Sequence, residues 1–429
     1  MAESDGMLPD TVEKSAIPRP VWFLGWTSLS TDAATEMIYP LLPVYLSRVL
    51  GASAVSLGII EGVAEAVNSV LKVLSGYWSD RSSRRRPIVM AGYALSSIAR
   101  PLIALTRTWP QVLLIRALDR TGKGIRGAPR DALLARFATP STRGRIFGFH
   151  QAMDHTGAIV GPLLATLILF FVPEGYRLVF ALTAIPGAIA VTLLFFVDED
   201  AAAGDPAPTP TPSDIRPSHD NRTSPEVRRG GPSGPPVARD VRHPIPRRLI
   251  ALMGVLLVFS LGNSADAFLL LRLSDALGGS TYVPLMWAGI HVVKASLSTW
   301  GGTLSDRFGR KQVIVSGWVV YALVYLGFAV STSAVAFVAW FLFYGVYFAL
   351  AEGPAKALVT DLTPRERRGA AFGFYNATIG AGALVASVLF GYLYEHFSST
   401  TAFTTGAALA GVAAVMLLFV PTTPARDIS

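Results

Sequence analysis

The sequence predicts an all-α polytopic membrane protein, with twelve transmembrane helices forming two pseudo-symmetric six-helix bundles around a central cavity. Three observations carry this prediction. First, there are twelve apolar runs of the roughly 20 residues needed to cross about 30 Å of hydrocarbon. Second, a long polar segment at 198–247 separates the first six runs from the last six. Third, short polar motifs of the first half recur in the second at a near-constant offset. Composition agrees: of 429 residues, 51% are apolar and 15% charged, against roughly 25% charged in soluble domains. Mean hydropathy is +0.45.

Residues 1–20 form a polar cytoplasmic tail holding Glu3, Asp5, Asp10, Glu13 and Lys14, with no apolar core of the kind a cleavable signal has. Spans are expected at 21–47, 55–78, 87–106, 110–136, 146–171 and 178–197. The second set falls at 248–272, 283–304, 312–331, 334–360, 370–394 and 402–420. Bundles therefore cover 21–197 and 248–420, and 421–429 is a short C-terminal tail. The segment 198–247 contains 11 Pro, 7 Arg and 8 acidic residues; it cannot bury a core and reads as a disordered cytoplasmic linker.

The net charge of +8 comes from basic clusters between apolar runs, which fits positive-inside topology better than a nucleic-acid surface. With the N-terminus inside, short cytoplasmic loops hold thirteen Lys/Arg residues and the opposite loops four, namely Arg48, Arg107, Arg177 and Arg272. Both termini and the linker are then cytoplasmic, in a multi-pass protein of the plasma membrane. Zero Cys excludes disulfides, thiolate nucleophiles and Cys-ligated metals.

The stretch from Gly76 through Asp80 and Arg81 to Arg84 reappears as Gly302, Asp306, Arg307 and Arg310, offset by 226. Arg143-Gly144 with Phe147-Gly148-Phe149 matches Arg368-Gly369 with Phe372-Gly373-Phe374, offset by 225. Ser-x-Asp-Ala occurs at both Asp32 and Asp266. Three ordered matches mean a duplicated six-helix unit of parallel topology, with a solute site near the midplane between the halves.

On these motifs the chain resembles the major facilitator superfamily over nearly its whole length. The family's loop signature is complete at Gly302, Leu304, Asp306, Arg307, Gly309, Arg310 and Lys311, while Trp78 and Ser83 make the first copy degenerate. The resemblance implies that Gly76, Asp80, Arg81, Arg84 and their counterparts latch the cytoplasmic side and release during transport. Helix 5 carries Gly148, Gly157, Gly161 and Pro162, a partial match to the pattern of the superfamily's antiporters, with Ala165-Thr166 in place of its final Gly pair. Small residues at this spacing also serve ordinary helix packing.

Ionisable groups inside a membrane are costly and mark functional positions. The spans hold nine acids and nine bases in their interiors, concentrated outside helices 3, 6, 9 and 12, which the resemblance makes outer supports. Asp32 and Glu36 share one face of helix 1, and two neighbouring carboxylates in a partly dry cavity let one carry a proton. Arg116, Asp119, His150 and Asp154 complete the expected proton-coupling set, His150 and Asp154 being i,i+4 on helix 5. The expected cavity face runs along helix 2 through Glu61, Glu65, Asn68 and Lys72. It includes Asp266, His291 and Lys294, the acid–base pair Glu352 and Lys356, and Tyr375 and Asn376 on helix 11. On helix 4, Arg116, Arg120, Lys123, Arg126 and Arg130 follow steps of 3 and 4. That basic stripe either attracts an anionic substrate or is neutralised by acids on helices 1, 2 and 5. Asp119-Arg120 stands where the superfamily pattern has Gln-Gly.

The function expected is secondary active transport by alternating access, most consistent with proton-coupled export of a small organic solute. The alternative is proton-coupled symport of an organic anion, with divalent-metal export or a non-transporting sensor ranking lower. The chain carries no nucleophile–base set and no His-Glu-x-x-His, so no enzyme, cofactor or bound metal is expected. Partners are a small molecule, protons and lipid, with no nucleic acid, and the protein is expected to be a monomer.

Overall fold

The computed structural model describes residues 17–82, 84–139, 142–199, 246–363 and 368–421. The terminal tails, most of the linker and Arg365 and Arg367 from the charge count lie outside the described residues, as does the side chain of Asp80. The helical elements among the described residues group into twelve, several of them interrupted, and no strand is present among those residues. In the first half, α1 is Arg19–Ile38, prolonged by Leu42–Val44 and a π-turn at Tyr45–Val49; α2 is Ala54–Arg81. Next come α3 (Arg86–Ala99, tightening to a 3₁₀ turn at Arg100–Leu105), α4 (Trp109–Arg136), α5 (Arg143–Phe171) and α6 (Tyr176–Leu182 with Ala184–Leu194). In the second half, α7 is Arg247–Gly262 with Ala267–Ala276, α8 Val283–Phe308 and α9 Arg310–Val330. The last three are α10 (Ala334–Asp361), α11 (Arg368–His396) and α12 (Ser399–Phe419).

Local signals set these boundaries. Proline falls in the first turn of α1, α3, α4 and α8, where the missing N–H costs nothing. Ser53, Ser333 and Ser398 cap α2, α10 and α12 by accepting from Ser56, Ala336 and Thr401 amides. A single residue, Gly309 at φ +91°, joins α8 to α9, and only glycine adopts that conformation without strain. This is the turn that the loop signature encodes.

Nine of the described helices are long and apolar enough to cross a membrane. Outside that set stand α1, α4 and α8, the helices bearing Asp32 and Glu36, the α4 charge series, and His291 with Lys294. The span expected at 248–272 is interrupted: α7 breaks between Gly262 and Ala267. Tyrosines satisfy the backbone and side chains freed there, as an apolar setting requires. Tyr321 donates to the Gly262 carbonyl at 3.0 Å, Ser264 Oγ meets the Tyr325 hydroxyl at 2.9 Å, and Tyr344 donates to Asp266 at 2.8 Å.

The two halves are cored differently. The second is an aromatic stack in which Phe259 lies on Trp318 at 4.4 Å and Tyr321 on Tyr325 at 4.2 Å. The first contains a buried ion lattice. Arg100 Nε donates to Asp119 at 2.9 Å, Arg116 donates to Glu61 at 2.9 Å, and Arg116 lies 3.7 Å from Asp119. Arg126 donates to Ser96 Oγ at 2.8 Å and lies over the Tyr93 ring.

Polar contacts between halves fall at one end, opposite the signature loops. Arg48 pairs with Asp275 at 3.2 Å, Tyr176 meets Ser280 at 2.6 Å, and Glu395 accepts from the Val55 amide at 3.0 Å. Deeper in, Trp287 Nε1 donates to Glu36 at 2.7 Å. There α2 and α11 touch so closely that a Cβ on Gly58 would stand 2.2 Å from the Ser387 carbonyl oxygen. At the signature-loop end, the side-chain contacts of Arg310, Lys311 and Arg86 lie within their own halves. Arg310 bridges Asp306 and Asp361, and Lys311 caps the Leu418 and Val420 carbonyls. Arg86 holds the Leu194 and Phe195 carbonyls in the matching position of the first half.

Glu199, at the start of the expected linker, is fixed to the first half. It accepts from the Arg85 and Arg86 amides at 3.0 and 3.1 Å and pairs with Arg136 at 2.7 Å. Burial works against the charged form, but the two amides and the Arg136 guanidinium outweigh it and hold this carboxyl below its ordinary value. A depressed folded-state pKa gives stability above the unfolded value of about 4.3 that disappears as pH falls through the folded one. Glu199→Gln is therefore expected to lower Tm at pH 7, and the gap from the parent should close as a Tm series is taken below pH 4. A gap independent of pH would discard the clasp.

Candidate functional site

A cavity of about 430 Å³ opens between the halves, lined from both. The first half contributes Glu36, Tyr39, Glu61, Glu65, Arg120 and Lys123. The second adds Asp266 and Asn263 from the α7 break, Trp287, His291 and Lys294 from α8, and Tyr344 and Phe348 from α10. A second cavity of about 410 Å³ is lined by Asp32, Lys72, Lys123, Arg126, Arg130, Asp131, Asp154 and Asn376. Lys123 belongs to both, so the α4 stripe runs from one space into the next.

Pairing inside these spaces is uneven. Glu61 is committed to Arg116, and Glu65 receives long bonds of 3.4 Å from Asn68 and Ser69. Lys294 sits 3.7 Å from Glu352, which also binds Lys356 at 3.1 Å, and lies over the Phe348 ring at 3.9 Å. Arg130 pairs with its neighbour Asp131 at 3.0 Å, and Ser28 links it to Asp154. His150 Nδ1 stands 3.6 Å from Asp154. Among the described residues, Arg120, Lys123, Asp32, Glu36 and Asp266 have no oppositely charged group within 4.0 Å.

The sequence-derived residues therefore divide. The main cavity gathers Glu36, Glu61, Glu65, Asp266, His291 and Lys294; the second gathers Asp32, Lys72, Arg126, Arg130, Asp154 and Asn376. Arg116 and Asp119, each 2% exposed, lie in the ion lattice and not on a cavity wall. Asn68, 3% exposed, and His150, 4% exposed, are buried beside the cavities. Glu352 and Lys356 pair with each other as the sequence reading anticipated, and Tyr375 packs on Phe372. Gly157 and Gly161 sit against α1, where an added Cβ would meet the Leu29 and Ala33 carbonyls at 2.4 and 2.3 Å; Gly148 meets nothing within 4 Å. Pro162 lies inside α5 without breaking it.

Of the signature residues, Arg81 stacks on Tyr77 at 3.3 Å and Arg310 holds Asp306 and Asp361. Arg120 and Lys123 belonged to the stripe without being singled out. The aromatic wall of Tyr39, Trp287, Tyr344 and Phe348 escaped the sequence reading, although Tyr39 and Trp287 stand one turn from Glu36 and His291.

The sequence profile of the Major Facilitator Superfamily matches residues 24–294 and 252–429. The chain belongs to that superfamily. This facilitator is 31% identical over 410 residues to an MFS-type transporter of Methanocaldococcus jannaschii, covering 94% of this chain and 95% of that one. It is 26% identical over 150 residues to a multidrug resistance protein, MdtH, of Aeromonas hydrophila, covering 35% of this chain and 38% of that one. The facilitator's fold matches the crystal structure of a bacterial homolog of the human lysosomal transporter Spinster with a TM-score of 0.69. That match has 14% identity and covers 95% and 96% of the two chains. It is a multi-pass membrane transporter built from two six-helix halves.

Proposed function

We propose that the protein exports a small organic solute by alternating access, coupled to protons. The observation that carries this reading is the charged cavity of about 430 Å³ between the halves, with polar contacts joining the halves at the end opposite the signature loops. The Lys/Arg bias supports cytoplasmic termini and signature loops in a plasma-membrane protein, and in this reading the cavity opens inward. The name of the MdtH relative supports export, while the packing of Gly157 and Gly161 of α5 against α1 fits the antiporter motif and an ordinary helix contact alike. In this reading the signature loops latch the cytoplasmic side in the alternate state. The protein works as a monomer, without cofactor or catalytic chemistry. Among the described residues no three His, Asp or Glu side chains come together to hold a metal ion, so metal export gains no support.

Asp32 is the coupling carboxylate we favour, because it lines the second cavity and has no cation within 4.0 Å. A group that must load and release a proton works best without a fixed counter-ion. Asp32→Asn is expected to abolish gradient-driven transport and to leave solute exchange intact. Unchanged driven transport would remove Asp32 from the mechanism.

Everted vesicles carrying a pH dye test the whole reading: an exported solute must dissipate a proton gradient. Silence across cationic drugs ends the drug-export reading. Response only to anions promotes symport of an organic anion, which unpartnered Arg120 and Lys123 favour.

A further inference from the structure

The main cavity holds groups of both signs with no oppositely charged partner within 4.0 Å, Arg120 and Lys123 against Glu36, Glu65 and Asp266, and this sorts possible substrates further. On the first-half wall, α4 presents Arg120 and Lys123 without a carboxylate within 4.0 Å. Arg120 is 8% exposed and its Nε has no hydrogen-bond partner. On the second-half wall, Asp266 begins the outer piece of α7 with only the Tyr344 hydroxyl bonded to it. Glu36, on α1 of the first half, accepts across the cavity from Trp287 Nε1 of that wall. Elsewhere in the spans, Arg100, Asp119, Arg116 and Glu61 match charge for charge, and Glu352 is shared between Lys294 and Lys356. Uncompensated charge in a low-dielectric interior is destabilising and persists where a function needs it. Both nitrogens of His291 on the same wall also lack partners.

Building on the transport reading, we infer that the substrate is amphoteric. It is a compact molecule whose anionic group binds Arg120 and Lys123 on the first half and whose cationic group binds Asp266 and Glu36. A guanidinium and an ammonium side by side bind a carboxylate or phosphate. The two acids, set in an aromatic wall of Trp287, Tyr344 and Phe348, suit an ammonium group. A single ligand thereby engages the bases of α4 and Asp266 of α7 together and ties the halves to each other, whereas an anion or a cation alone engages groups of one sign only.

Purified full-length protein in detergent tests this with three matched probes: benzoate, benzylamine and 4-(aminomethyl)benzoate. Thermal shift is read on the parent, Lys123→Gln and Asp266→Asn, with Lys123→Arg and Asp266→Glu as charge-conserving controls. The zwitterion is expected to raise Tm more than either half-molecule. Lys123→Gln and Asp266→Asn should each weaken its binding about tenfold or more, and the controls should recover much of it. Benzoate or benzylamine matching the zwitterion overturns the inference, as does absence of a zwitterion shift or indifference to Asp266→Asn. The same probes in everted vesicles separate the two readings. Proton flux driven equally by benzoate or benzylamine keeps transport and removes amphoteric selection. Binding of the zwitterion without flux keeps the site and removes coupled transport.

Discussion

Asp119→Asn is expected to destabilise the solubilised protein by about 3–5 kcal/mol, enough to cost most of the folded yield. Asp119 is 2% exposed and is bonded by Arg100 at 2.9 Å, with Arg116 at 3.7 Å. An amide cannot neutralise those guanidiniums, which are themselves 2% exposed. The compensating change locates the cause. Arg100→Gln together with Asp119→Asn should recover more than half of the loss, because it removes the cation that Asp119→Asn strands. Thermal denaturation of the four proteins in one detergent gives the cycle directly. A small loss of stability with complete loss of driven transport would instead return Asp119 to the coupling machinery, where the sequence first put it.

The second large effect concerns closure. Gly58→Val is expected to move the protein out of the conformation described here, because its Cβ would stand 2.2 Å from the Ser387 carbonyl oxygen and 2.8 Å from its carbon. Both are backbone atoms and cannot rotate aside. Overpacking of this kind costs about 1–3 kcal/mol, and each 1.4 kcal/mol is tenfold in population. The protein contains no cysteine, so Val49→Cys and Tyr282→Cys introduce the sole thiols for nitroxide pairs, one on each half at the closed end. Pulsed electron–electron distances should lengthen in the Gly58→Val background, and transport should stop. An unchanged distance distribution would mean that α2 and α11 separate here in no working state.

These tests also show what linear reading supplies. Span number and halves are legible because a membrane helix must be long and apolar, and because Gly302–Arg310 repeats Gly76–Arg84. Charged cavity residues are legible for the opposite reason: Asp32, Glu36 or Asp266 is too costly in a span to lack a role. Pairing is not legible. Arg116 and Arg120 are one turn apart on one helix, yet the first is bound to Glu61 and the second has no carboxylate within 4.0 Å. That distinction depends on which helix lies opposite. The α7 break was missed because the apolar runs before Asn263 and after Asp266 together have the length of a single span, although Asn263, Ser264 and Asp266 interrupt them. Trp287 and Tyr344 were hidden because aromatic residues are ordinary in spans and acquire meaning only beside Glu36 and Asp266.

The unlike interiors of the halves imply unlike freedom to vary. Stacked rings such as Phe259, Trp318 and Tyr325 accept another bulky apolar residue at modest cost when volume is kept. The hydroxyls of Tyr321, Tyr325 and Tyr344 at the α7 break are the exception. Arg100, Asp119, Arg116 and Glu61 permit almost no single replacement, since each change strands a charge. A saturation-mutagenesis library would accordingly return a lopsided map, forgiving through the second repeat and brittle through the first. Two copies of one ancestral unit have come to occupy different fitness landscapes.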